Sequence, residues 1–296
     1  MPLTKQGAAK VSVASNIALV AFKLAAWAAT GSVSVLSEAA HSAMDLLAAG
    51  IAWFAVVTAA KPADREHGYG HAKIENFSAL LEAALIFAAA LWIIVESVHK
   101  LQAPKPLSLP GMGAAVMLVS AAVNWAVSRM LFKVGTREQS PALIADAWHL
   151  RTDVYTSAGV MFALAAYAVG EKFFHSHDLA WMDPVAAIAV ALLITRAAWD
   201  LTVQALGDLL DASLPEDEVA EIERIVAAMR PGIASHKNLK TRKSGRVRYI
   251  SLDALVDGNM TVAQAHAIAD RLETELETRF PHARVTVHIE PAGGHQ

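Results

Sequence analysis

Long apolar blocks alternate with short polar breaks over the first two thirds of the chain. The blocks lie near 11–29, 34–59, 78–99, 111–132, 141–169 and 181–206. Each is long enough to cross the ~30 Å hydrocarbon core of a bilayer as a helix, which takes about 20 residues. The breaks are "TGS" at 30–32, "KPADREHGYGHAK" at 61–73, "QAPKPLSLPG" at 102–111, "GTREQSP" at 135–141 and "EKFFHSHD" at 171–178. A helix is the predicted form, because a lone strand would leave its backbone groups unpaired in lipid. The start, "MPLTKQGAAKVSV", is basic, but no small-residue cleavage site closes the apolar run behind it. It reads as the first span and not as a removable signal peptide.

After residue 206 the pattern changes, and residues 207–296 hold 14 acidic and 11 basic residues. "EDEVAEIERIVAAM" has the spacing of an amphipathic helix started by Pro215. In "NLKTRKSGRVRYISLDALV", Ser244-Gly245 separates two extended runs, which predicts a hairpin. "TVAQAHAIADRLETELETRF" is a second amphipathic helix with Thr261 as its cap. "ARVTVHIEP" alternates apolar and polar positions and reads as a last strand. The predicted architecture is therefore a six-helix membrane protein, residues 1–206, followed by a small cytoplasmic α+β domain, residues 207–296. The αββαβ order of that domain is ferredoxin-like.

Composition supports this division. Hydrophobic residues make up 55% of the chain, against about 45–50% in an ordinary soluble domain, and the mean hydropathy is +0.37. The net charge of −3 gives no reason to expect a nucleic-acid partner. With no cysteine there is no disulfide, thiolate metal site or thiol nucleophile. Charge also orients the spans. One side carries Lys5, Lys10, Lys61, Arg65, Lys73, Arg129, Lys133 and Arg137, the other Lys100, Lys105 and Lys172. The more positive side is predicted to be cytoplasmic, and an even number of spans places both termini there, in a cell membrane (the inner one of a Gram-negative cell).

The chemistry begins where polarity interrupts the apolar blocks. From Val11 to Ala60 the charged residues are Lys23, Glu38 and Asp45. His41 and Asp45 stand four apart on the second span, and His149 and Asp153 repeat the spacing on the fifth. An i, i+4 pair shares one helical face. Such groups cost at least ~2.5–3.5 kcal/mol each in mid-membrane, and two matching pairs offset that cost by sharing a cation. Two imidazoles and two carboxylates form an N2O2 set that suits tetrahedral zinc; cobalt, nickel and iron also accept imidazole. The plain alternative is polar glue between helices. No zincin or nucleophile-elbow motif is present, which argues against an enzyme.

Asp64, His67 and His71 follow at spacings of three and four in the loop after span two. They are either a weak exposed metal site or ordinary loop residues. In the soluble domain His236, Asp253, His266, His288 and Glu290 are scattered, and His288 and Glu290 share one strand face. By spacing alone these read as surface residues. Asn16 and Asn124 suit helix-to-helix hydrogen bonds, with outer support of a metal as the alternative. His175, His177 and His295 are given no role.

Six spans, His-xxx-Asp on spans two and five, "GHAKIE" after span two and an αββαβ tail resemble the cation diffusion facilitator family. The resemblance runs over about 10–292 and is closest to bacterial zinc and iron efflux members. "DREHGYGHAK", "DAWHLRTDVYTSAG" and "TRFPHARVTVHIEP" carry it. It implies a homodimeric metal/proton antiporter whose transport site is His41, Asp45, His149 and Asp153. It implies a loop metal site at Asp64, His67 and His71, and a binuclear site in the tail that includes His266, His288 and Glu290. There Asp253 stands where close relatives have histidine, and Lys237 takes the place of another, with His236 one residue earlier. Lys73 and Asp211 match a pair that interlocks two protomers near the membrane surface.

The implied function is zinc efflux in exchange for protons, by rocking of helices about a midplane site. The alternatives are manganese, iron, cadmium or cobalt as cargo, or a non-transporting metal sensor or assembly partner on the same fold. Expected partners are divalent cations, protons, membrane lipid and a second copy of the chain. Glu38, two turns before Asp45, is either a residue lining the outward exit or a water-facing carboxylate at the outer end of its span.

Overall fold

A computed structural model of the chain describes residues 3–31, 33–102, 111–174 and 181–293. Lys105, His175, His177 and His295 lie outside the described residues, as does the side chain of Lys172. The chain divides into two compact units, Met1–Ala205 and Leu206–Gln296.

The first unit is helical. Its elements are α1 (Lys5–Thr30), α2 (Val33–Ala59), α3 (Lys73–Gln102), α4 (Gly111–Arg137), α5 (Pro141–Phe174) and α6 (Met182–Leu209). Several begin before the apolar blocks do, because backbone hydrogen bonding continues until a cap stops it. Thr4 caps α1, its hydroxyl accepting from Gly7 N at 3.1 Å. At the other end Gly31, at φ 64°, donates to the Trp27 carbonyl. Glycine suits that left-handed position because it carries no Cβ to clash. By length and composition α1, α2, α3, α4 and α6 are apolar enough to cross a membrane. The first half of α5 carries Asp146, Arg151 and Asp153, which dilutes its apolar character.

Small residues let these helices approach closely. One core cluster joins Ala8 and Ala9, Ala55 and Val56, Leu131 and Leu143 from α1, α2, α4 and α5. Another joins Ala79, Ala83 and Ile86 of α3 with Ala145 of α5 and Ile194, Ala198 and Leu201 of α6. Between α4 and α5 the Ser128 hydroxyl donates to the Ala147 carbonyl at 2.8 Å. The Arg151 guanidinium donates to Ser128 and lies 4.1 Å from the Trp125 ring centre. Phe54, Leu91 and Trp92 are each more than 60% exposed, as expected of side chains turned to lipid.

The second unit contains α7 (Glu216–Ala228), β1 (Ser235–Ser244), β2 (Val247–Val256), α8 (Val262–Arg279) and β3 (Ala283–Pro291). This is the αββαβ order expected from the sequence. β1 and β2 are antiparallel, joined at Gly245-Arg246, and β3 lies parallel to β2. Ile250, Leu252 and Ala254 point from β2 into a core shared with Ile222 and Val226 of α7 and Leu272 and Leu276 of α8. Thr261 and Gln264 form a capping box at the start of α8. Pro215 stands one place before the helical residues, at the cap of α7.

An ion pair fastens α7 to the sheet. Arg248 Nε donates to Glu218 Oε2 at 2.7 Å and Nη2 to Oε1 at 2.8 Å. This fork holds the Glu218 carboxyl below its ordinary range. A depressed folded value stabilises above the unfolded pKa and is lost as pH falls through the folded one. Glu218→Gln is therefore expected to weaken the unit by about 1 kcal/mol at neutral pH, with the difference fading at acid pH. Hydrogen exchange of the β2 amides of the full chain measures it; equal exchange at neutral pH would contradict the assignment.

Candidate metal centre

The helices bring the two His-xxx-Asp pairs together. On α2, one turn separates His41 from Asp45, and on α5 one turn separates His149 from Asp153. His41 Nε2 lies 3.8 Å from Asp45 Oδ1 and 3.5 Å from Asp153 Oδ1. His149 Nε2 lies 3.4 Å from Asp45 Oδ1. With metal–ligand bonds of 2.0–2.1 Å, the edge of a tetrahedron is about 3.3–3.4 Å. These three separations are near that edge, so one small cation can reach His41, Asp45 and Asp153, while His149 meets Asp45 alone at that spacing. His41, Asp45 and Asp153 form a three-ligand group, and His149 joins it through Asp45.

Asp45 is buried while the His41 side chain is 54% exposed. The site thus has a closed back and an open front. The front is a cavity of about 90 Å³ lined by Lys23, Glu38, His41, Asp45, Asn124 and Asp153, among others. A water's share of liquid is ≈ 30 Å³, so a cation can approach with part of its hydration shell. The cavity lies toward the end where α1 stops and α2 begins.

Of the two asparagines, Asn124 makes the expected bond between helices and Asn16 does not. Asn124 of α4 donates to Asp153 Oδ2 at 3.4 Å, so it bonds between helices and also holds a ligand. Asn16 donates to Ser12 O in its own helix, because the carbonyl four residues back lies within reach. Lys23 was not singled out by sequence reasoning. It is 2% exposed and donates to Ser42 Oγ at 2.8 Å and Glu38 Oε2 at 3.0 Å. Its signal was a lone cation in an apolar helix.

In the loop, His67 Nδ1 and His71 Nε2 each lie 3.3 Å from an oxygen of Asp64. The three form a second ligand group of tetrahedral-edge spacing. Among the described residues, buried His71 Nδ1 has no hydrogen-bond partner. Asp64 accepts from the backbone N–H of His67 at 2.7 Å and of Glu66 at 3.0 Å. These donors hold its carboxyl below the ordinary range.

The tail is arranged differently. Lys237, Asp253 and His288 are cross-strand neighbours in β1, β2 and β3. Lys237 Nζ lies 2.5 Å from Glu290 Oε2, which raises the ammonium above its ordinary range. Asn238 donates to Asp253 Oδ2 at 2.6 Å. His288 Nε2 stands 3.8 Å from Glu290 Oε1, His266 Nε2 stands 3.6 Å from Asp270 Oδ1, and His236 lies on β1 opposite Ala254. Among the described residues no three tail ligands converge. A resident metal here does not fit the ligand set of one chain, since an ammonium already occupies the Glu290 carboxylate. Asp211 pairs with Arg242 Nη1 at 3.2 Å, and Lys73 opens α3.

Residues 9–210 match the family model described as the cation efflux transmembrane domain. Residues 214–292 match that of the cation efflux protein cytoplasmic domain. An uncharacterized transporter of Synechocystis sp. is 38% identical over 96% of this chain and 89% of its own. The cation-efflux pump FieF of Yersinia enterocolitica is 34% identical over 98% of this chain and 93% of its own. A solved metal-bound C-terminal domain of the CzcD transporter from Thermotoga maritima covers 28% of this chain and 100% of its own, at 25% identity and a TM-score of 0.25.

Proposed function

The chain belongs to the cation diffusion facilitator family, and from that premise we propose that it exports divalent zinc in exchange for protons. It is a membrane protein of a transporter family and not an enzyme. The observation that carries the substrate reading is the four-residue set His41, Asp45, His149 and Asp153, with neighbouring ligand atoms 3.4–3.8 Å apart. Two imidazoles with two carboxylates match zinc better than the all-oxygen sets that harder cations prefer.

The same residues supply the coupling. A metal requires neutral histidine and ionised aspartate, so loading expels protons. Histidine, at a reference pKa of about 6.5, titrates between a neutral cytoplasm and a more acidic exterior. The front cavity is the outward side, with Glu38 lining the exit and Lys23 fixing it. The Lys and Arg excess places both termini in the cytoplasm of a cell-membrane protein. Residues 1–206 carry transport. Residues 207–296 are mainly a dimerisation module, with Lys73 of one protomer interlocking Asp211 of its partner. Asp64, His67 and His71 hold a second, regulatory cation at the loop.

Zinc flux into proteoliposomes under an imposed pH gradient tests the reading. The expected result is saturable flux that rises with the gradient, and faster flux for zinc than for manganese, iron, cadmium or cobalt. Flux indifferent to the gradient would remove proton exchange, and flux no greater than in empty vesicles would remove transport.

A further inference from the structure

Three layers of polar groups lead from one end of the bundle to the metal site. At the end where α1, α3 and α5 begin, Lys5 Nζ donates to Glu75 Oε1 at 2.7 Å and Ser140 Oγ donates to Glu75 Oε2. Two turns, about 10 Å, further along α1 and α3 stand Ser12 and Glu82, and Asp146 follows Ser140 on α5. Deeper again are Asn16, Asp45 and His149.

The middle layer is sealed. Glu82 is 0% exposed and Asp146 1%. Among the described residues, neither oxygen of the Glu82 carboxyl has a hydrogen-bond partner, nor does the Ser78 hydroxyl, while Ser12 of α1 lies within reach of the Asp146 carboxyl. Asp146 is the acid on the stretch of α5 that packs against α3, next to Ala145 where Ala79, Ala83 and Ile86 meet it, and it lies about one turn before His149. From α6 the apolar Ile194, Ala198 and Leu201 share the core with α3, while Arg196 and Asp200 pair with each other at the surface. On α1, Lys5 is held by Glu75 and Lys10 is exposed. On α2, Glu38 is taken by Lys23.

A buried carboxylate with no donor and no counter-ion is not held in its ionised form, and a second carboxyl beside it disfavours the charge further. We propose that Glu82 is a proton-carrying residue on the inner route of the transporter, a station between the Lys5–Glu75–Ser140 clamp and the metal site. In the closed inner state Glu82 keeps its proton. When the clamp parts, Glu82 gives that proton to cytoplasmic water. The resulting carboxylate, beside Asp146, draws a divalent cation inward to Asp45 and His149. A doubly charged ion in that site favours the ionised carboxyl, so cation entry and proton release from Glu82 are linked. This inference rests on the export reading for its direction, but the link between cation and proton does not.

Glu82→Gln keeps the shape of the neutral acid and removes its proton. Three measurements on the full chain test the proposal. The melting temperature in detergent is expected to match the parent's. Titration with zinc in a weakly buffered indicator solution is expected to release fewer protons per bound ion, by up to one per chain. Zinc flux in proteoliposomes is expected to fall about tenfold at neutral pH and to lose its dependence on internal pH. Parental proton release with parental flux would overturn the proposal, as would a large drop in melting temperature, since that marks an ionised and paired Glu82. If the parent itself gives no flux yet the difference in proton release persists, the export reading fails and the linkage at Glu82 stands.

Discussion

Asp45→Asn is expected to reduce zinc flux in reconstituted vesicles at least about 100-fold, with melting temperature close to the parent's. Asp45 is the hub of the candidate site. Its Oδ1 lies 3.4 Å from His149 Nε2 and 3.8 Å from His41 Nε2, so it joins the two helices through one oxygen. Loss of groups that merely support a metal ligand typically costs 10–100-fold in affinity or activity, and loss of a buried anionic ligand costs more. The amide keeps the volume of the carboxylate, so packing around α2 persists. Asp153→Asn should follow the same pattern. Asn124→Ala should act through Asp153 and weaken zinc affinity by about 10-fold. Equilibrium zinc binding and vesicle flux on the same preparations check all three. Parental flux in Asp45→Asn would remove these residues from the transport site.

Glu38→Ala is expected to lower the melting temperature in detergent by roughly 5–10 °C. Lys23 is 2% exposed, and its ammonium is held by the Glu38 carboxylate at 3.0 Å, the Ser42 hydroxyl at 2.8 Å and the Glu38 carbonyl at 3.3 Å. The substitution leaves a buried ammonium without its counter-ion. Breaking such a pair from one side costs about 3–5 kcal/mol, and partial exposure of Glu38 places this case at the lower end. Removing both charges avoids the penalty, so Lys23→Met combined with Glu38→Ala should recover most of the loss. Thermal unfolding of the parent, the single variant and the double variant measures this. A single variant that melts with the parent would show that Lys23 finds water in the cavity and that the pair is not structural.

The fate of Glu38 shows what a sequence can and cannot say. Its place two turns before Asp45 was legible from helical periodicity. Its partner was not, because Lys23 lies 15 residues earlier on another helix. The same holds for Glu82 and Asp146. Neither belongs to a spacing motif, and only the approach of α3 to α5 joins them to the layers that reach the site. In the tail, the departure of Lys237 from the family pattern was visible in the sequence. That its ammonium engages Glu290 depended on the register of β1 against β2 and β3.

By itself the sequence determined the apolar segments, the αββαβ order of the tail, the two i, i+4 ligand pairs and the loop triad. Each of these is written in local spacing, where hydrophobic period, cap residues and helical pitch act within a few residues. The tertiary structure alone decided that α2 and α5 face each other so that His41, Asp45 and Asp153 come together with His149 beside Asp45, and that Asn124 bonds Asp153. It also decided that Lys23 answers Glu38 and that, among the described residues, no three tail ligands converge. Those outcomes depend on contacts between residues distant in the chain. Helix packing and strand register set them, and neither leaves a short-range mark in the order of amino acids.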